Sequence, residues 1–291
     1  MTQIVEHLSE ISDRYDALFV DLWGCVHNGL TPFPAAVAAL QQYRQIGGKV
    51  VLVTNSPRPR ESVEAQLDQI GVARDAWDII TTSGDSARAA MYLGAVGEKI
   101  YFIGDGDVDH GFFDPLLIIE DPTKIEQVPL AEAEGIICTG PFDPYEDPSV
   151  YRADFLLAKQ NGLKLLCANP DIVVDRGEKR EWCAGALAAL YTEMGGESLY
   201  FGKPHPPIYD LARRRLTSLG VDVPDERILA IGDGIITDVA GAVGENIDVL
   251  FISGGLAAAE TATTYQPDKA LLTGWLNDQN HHPQYTIGFL R

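Results

Sequence analysis

The chain has 291 residues, an apolar share of 46%, and 22 Lys+Arg against 42 Asp+Glu, a formal net charge of -20. That size and apolar content suffice for one large core or two ordinary ones, while the acidic balance excludes a broad nucleic-acid surface, which needs clustered positive charge. Any anionic ligand must be held by a local device: a metal ion, backbone N–H groups, or one or two lysines. The four cysteines, Cys25, Cys138, Cys167 and Cys183, show no CxxC spacing, which argues against a disulfide framework or a zinc site. The polar N-terminus carries no apolar run, and no segment approaches the roughly 18–20 apolar residues of a membrane span. A cytoplasmic protein without membrane or nucleic-acid partners is the expectation.

Along the chain, short apolar runs alternate with helical patterns, which predicts βαβ units and a parallel sheet. Residues 17–23 (ALFVDLW) form a buried-strand pattern, and Val37, Leu40, Tyr43 and Ile46 then trace a helical stripe. Residues 49–56 (KVVLVTNS) are rich in β-branched side chains, as in a central strand, and Val63, Leu67 and Ile70 mark a helix closed by Gly71. A second set follows, with strands expected at 99–105, 135–140 and 163–169 and helices near 148–161 and 182–194. Strand 227–233, helix 237–246 and strand 247–255 resume the first pattern, and the last 30 residues carry little periodicity. The fold class expected is α/β, with a Rossmann-like parallel-sheet core split in sequence (1–83 and 197–291) around an inserted α/β domain (84–196).

Four segments fall where a parallel sheet gathers its carboxyl ends, the edge at which ligands bind. Asp21 ends the first strand, where a carboxylate can act as nucleophile toward a phosphoryl group or simply cap a turn. Thr54 and Asn55 end the second, where they offer phosphate-binding groups or ordinary turn chemistry. Gly202-Lys203-Pro204 places an ammonium before a helix, unless the lysine is a plain surface residue. In Gly232-Asp233-Gly234-Ile235-Ile236-Thr237-Asp238, two carboxylates bracket a loop and a helix start. Asp238 there can serve the helix dipole alone, whereas Asp233 at the strand tip cannot. Mg²⁺ favours such a pair of oxygen ligands.

In order and placement, Asp21 with Gly24, Thr54-Asn55, Gly202-Lys203-Pro204, Gly232-Asp233 and Asp238 resemble the motifs of the haloacid dehalogenase superfamily across nearly the whole chain. The resemblance is closest to the type IIA subfamily with a large α/β cap, which includes pyridoxal phosphatase and nucleotide phosphatases. Ile80-Thr81-Thr82-Ser83-Gly84, Asn169-Pro170-Asp171 and the helix around Gly185 resemble that subfamily's other segments. The resemblance implies a Mg²⁺-dependent hydrolase of a small phosphorylated metabolite. Asp21 would be nucleophile and metal ligand, the Trp23 carbonyl and Asp233 further ligands, and Asp238 close by. Thr54 and Asn55 would hold the phosphoryl group, Lys203 would stabilise its charge, and Asn169 with Asp171 would help select substrate. Caps of this size often mediate dimers in the family, so a homodimer is compatible with the resemblance.

One position departs from the pattern. The family's phosphatases carry a second Asp two residues after the nucleophile, and here that residue is Trp23. A backbone carbonyl at this position still serves a metal, but an indole cannot protonate a leaving group or activate water, help worth about 10²–10⁴-fold. Three explanations compete: another residue supplies the proton, the substrate needs none, or the chain is a catalytically impaired metal- and phosphate-binding module. His27 is the best-placed substitute by sequence, against the alternative of a histidine packed in a loop, and His205 is a second. The Asp-rich run 104–110 (GDGDVDH) fits a turn better than a metal site, and Cys25 fits a small buried filler.

Overall fold

A computed structural model describes residues 2–106, 110–114, 116, 119–176 and 179–291. Residues 107–109 of the Asp-rich run lie outside it. The chain forms two compact units, one made of Met1–Thr54, Glu64–Thr81 and Tyr209–Arg291, the other of Asn55–Val63 and Thr82–Ile208.

The first unit carries a seven-stranded sheet in the order Gln3–Ile4, Tyr285–Ile287, Asp248–Ile252, Ile228–Gly232, Ala17–Val20, Lys49–Thr54, Ile79–Thr82. Strand Ala17–Val20 pairs in parallel with Ile228–Gly232 on one side (Val20 opposite Ile231) and with Lys49–Thr54 on the other (Val20 opposite Leu52). Every residue of ALFV and of ILAIG is buried, as expected of strands covered on both faces. The little-patterned C-terminal stretch supplies helix Lys269–Gln279, capped by Asp268, and strand Tyr285–Ile287, which joins the terminal strand Gln3–Ile4 to the sheet. The helix expected at 237–246 is instead an irregular π turn, Ile235–Val239, followed by the short helix Ala240–Gly244.

The second unit has a five-stranded sheet ordered Glu197–Tyr200, Lys164–Cys167, Gly135–Cys138, Lys99–Ile103, Glu126–Gln127, with parallel pairing throughout. Its two faces fill separate cores. Ile136, Leu165 and Cys167 pack with Phe155, Leu187 and Tyr191 on one side, while Ile137 and Leu166 pack with Ala87, Met91 and Phe112 on the other. The alternation along IleIle and LeuLeu is the period of two that sorts a strand's side chains to opposite faces. An antiparallel pair, Val173–Arg176 with Lys179–Trp182, was not signalled by the sequence pattern. All four cysteines are buried thiols, and among the described residues no helix is long and apolar enough to cross a membrane.

A charge-assisted clamp fixes the strand that ends in Thr54. The Asp78 carboxylate accepts from Arg44 Nε and Nη2 at 3.0 and 2.7 Å and from the Val50 N–H at 2.8 Å, so it joins helix Pro34–Gln45 to the start of strand Lys49–Thr54. Asp78→Ala leaves a guanidinium and a strand N–H without that acceptor. It is expected to lower the unfolding free energy by about 2 kcal/mol, read as a lower urea midpoint at unchanged slope.

Candidate active site

Asp21 extends its strand by one residue, because its N–H donates to Ile231 O at 2.8 Å. The chain then turns sharply. Leu22 O accepts from the N–H groups of Cys25, Val26 and His27, at 3.3, 2.8 and 3.2 Å, and the Gly24 N–H donates to His27 O at 2.9 Å. Gly24 makes the turn at φ +77°, a conformation that L side chains resist.

Asp233 leaves the tip of the neighbouring strand Ile228–Gly232 and accepts the Leu256 N–H at 3.1 Å on Oδ2. Two glycines make room for this carboxylate. A Cβ on Gly24 would lie 2.2 Å from Asp233 Oδ2, and one on Gly255 would lie 2.0 Å from it. The result brings one ligand atom each of Asp21, Asp233 and Cys25 within 4.8 Å of one another, all three residues buried. The carboxylate pair was expected. The thiol was not, and only its place four residues beyond Asp21, on the turn gathered at Leu22 O, signals it.

Asp238 lies outside that trio. Its Oδ2 accepts the Gly234 N–H at 3.0 Å, so it braces the loop that carries Asp233. Thr54 is buried at the end of the strand beside that of Asp21. Trp23 is half-buried, and its indole meets the His27 ring edge-on, with centroids 5.4 Å apart.

His27 is 3% exposed, and its Nδ1 accepts the Gly29 N–H at 2.9 Å. Burial pushes its pKa down to about 4. The ring is therefore neutral at physiological pH, with its basic nitrogen already in use.

The remaining expected residues belong to the second unit, where three of them meet. Asn55 Oδ1 accepts the Lys203 N–H at 2.7 Å, and Asn55 Nδ2 donates to Lys203 O at 3.1 Å and to Asp171 Oδ1 at 2.8 Å. Asn169 Oδ1 accepts the Asp171 N–H at 3.1 Å, and the Cys167 thiol donates to Asn169 O at 3.2 Å. Lys203 is 3% exposed. His205 stacks on the Tyr200 ring at 4.8 Å and 11°, and burial lowers its pKa too.

The burial of neutral His27 makes stability depend on pH. Between an unfolded pKa near 6.5 and the folded value of about 4, the unfolded chain takes up a proton that the folded one refuses. The stability contributed above pH 6.5 is therefore lost as pH falls through that window, up to about 3 kcal/mol in all. His27→Gln is expected to flatten this part of the pH profile, measured by urea unfolding at steps between pH 7 and 4.

Comparison with known proteins places the chain in a family. Residues 18–113 match the haloacid dehalogenase-like hydrolase family, and residues 200–273 match a HAD-hydrolase-like family. The D-glycerol 3-phosphate phosphatase of Mycobacterium tuberculosis is 26% identical over 262 residues, 89% of this chain and 69% of that protein. A solved glycerol phosphate phosphatase from the same organism, in complex with magnesium, shares the fold at a TM-score of 0.65 and 21% identity, covering 95% of this chain and 75% of its own. A haloacid dehalogenase-like hydrolase from Brucella suis 1330 is 42% identical, with a TM-score of 0.85 and coverage of 99% and 100%. The chain belongs to the haloacid dehalogenase-like hydrolase family.

Proposed function

We propose that the protein is a Mg²⁺-dependent phosphatase of small phosphorylated metabolites that works through a phosphorylated Asp21. The observation that carries this reading is the buried pair of Asp21 and Asp233, with carboxylate oxygens within 4.8 Å in a cradle kept open by Gly24 and Gly255. Two carboxylates gathered this closely suit a divalent cation. The oxygen donors suit Mg²⁺, with the Trp23 carbonyl as a third ligand and Asp238 supporting the loop. A metal there supplies positive charge against the phosphoryl oxygens.

In this reading an Asp21 oxygen attacks phosphorus, and the bond to the leaving oxygen breaks with its electron pair on that oxygen. Water then attacks the aspartyl phosphate, which releases orthophosphate and restores the carboxylate. Thr54 donates its hydroxyl to the phosphoryl group, and the Lys203 ammonium balances its charge, so catalysis rests on placement and electrostatics. Asn55, assigned to the phosphate by its place in the motif, lies in the same network as Lys203. Residues 84–196 act as the cap, with Asn169 and Asp171 helping to choose the substrate.

Trp23 shapes the substrate class. Neither His27, with Nδ1 engaged and a pKa of about 4, nor the stacked His205 is well suited to replace the missing acid. The protein should therefore favour phosphates whose leaving group departs unprotonated, such as acyl phosphates. The same residue supports a second reading from another class, an impaired module that binds metal and phosphate without turnover.

Mg²⁺-dependent phosphate release, measured from acetyl and nitrophenyl phosphate to simple alkyl phosphates, separates these readings. Activated compounds should outpace alkyl ones by more than about 10²-fold, the share lost with the acid. Asp21→Asn should abolish release and the phosphoenzyme mass. No release and no adduct with any compound would leave the binding module.

A further inference from the structure

Asn55 is 4% exposed and its carboxamide is fully oriented by its partners. Oδ1 faces the Lys203 N–H at 2.7 Å, and the two Nδ2 hydrogens go to Lys203 O at 3.1 Å and Asp171 Oδ1 at 2.8 Å. Turning the amide over would set donor against donor at Lys203 and acceptor against acceptor at both other contacts, so one orientation satisfies the site. An Asn side chain has two N–H donors, and both are used. None is left for a phosphoryl oxygen.

The partners lie 148 and 116 residues away in sequence. Asn55 is the first residue of the second unit after strand Lys49–Thr54, and Lys203 lies in the stretch leading back to the first unit at Tyr209. The carboxamide thus grips both polar groups of one lysine's own residue, and with its other hydrogen the Asp171 carboxylate. The fit is tight. A Cβ on Gly202 would come within 2.5 Å of Asn55 Oδ1, which accounts for the glycine before Lys203.

We propose that the Asn55 side chain is a positioning residue, not a phosphate ligand: it fixes the Lys203 backbone, and so the origin of the ammonium-bearing side chain, and ties Asp171 to the same clamp. This rests on the reading of Lys203 as the cation that stabilises the phosphoryl group. A flexible lysine stem is a poor point of precision unless its root is held. A hydrogen-bonded clamp on N–H and C=O together removes the backbone part of that freedom.

The test combines amide hydrogen exchange with a double-mutant cycle on nitrophenyl phosphate. In Asn55→Ala, exchange at the Lys203 N–H should rise about tenfold or more, while amides of the distant strand Gly135–Cys138 keep their protection. Asn55→Asp keeps the acceptor for Lys203 N–H but sets a carboxylate against Asp171 Oδ1 and Lys203 O. It should preserve protection at Lys203 more than Asn55→Ala does, and it also serves if the alanine variant folds poorly. In turnover, Asn55→Ala should lower kcat about tenfold or more in the wild-type background, and less than about twofold when Lys203→Ala is already present, because the asparagine acts through the lysine. Unchanged Lys203 exchange in Asn55→Ala overturns the proposal, as do losses from the two substitutions that simply multiply. Absence of turnover in the wild type sinks the phosphatase reading instead, and exchange at Lys203 still decides the clamp.

Discussion

The first unit brings two carboxylates to one point at the edge of its sheet. Two adjacent parallel strands, Ala17–Val20 and Ile228–Gly232, end side by side, and each is followed by an aspartate that is buried. Oxygens of the two carboxylates lie within 4.8 Å of each other. Folding has to set both carboxylates at this point. The hydrogen-bonded backbone does so: Asp21 N–H continues the sheet to Ile231, the Leu22 carbonyl gathers the turn, and the Leu256 N–H meets Asp233. Two carboxylates gathered at one point offer a divalent cation the hard oxygen ligands it favours. That is the physical basis for placing a metal at this point in the proposed reading.

Long hydrophobic strands were legible in the sequence because burial on both faces removes the polar alternation that would otherwise blur them. ALFV, KVVLV, ILAIG and DVLFI all appear as strands at or near their expected positions. Short pieces were not legible. Gln3–Ile4 and Tyr285–Ile287 have two and three residues, too few to show a period, and each exists as a strand only through its neighbour in the sheet. The segment after Asp233 departs from the helix expected at 237–246 for a related reason. Ile235 to Val239 has helical periodicity, yet Asp238 turns back to the Gly234 N–H, and the chain winds as a π turn before settling into a helix.

The same contrast runs through the site. Asp21 and Asp233 could be singled out because a charged residue directly after a buried strand has few structural reasons to be there. Cys25 could not, since its approach to the carboxylates depends on how tightly the Leu22 turn closes. Asn55 is the sharpest case. Its residue type and place in the motif suit a phosphate ligand, but the partners that consume its hydrogen bonds come from far along the chain, and no local pattern announces them.

In the proposed reading, Trp23 takes one function from the site and leaves its frame. The backbone turn that a metal would use is intact, with Gly24 N–H on His27 O and three N–H groups on Leu22 O. In the proposed reading the indole removes proton chemistry alone, and in its place stands an aromatic contact with His27, whose ring is buried. Electrostatic stabilisation and proton transfer contribute separately to phosphoryl transfer, so a site can keep the first and lose the second. An enzyme left in that condition still lowers the barrier wherever the leaving group carries its own negative charge well. In the proposed reading, the chemistry of the substrate, more than any single remaining side chain, then sets whether this protein turns over or only binds.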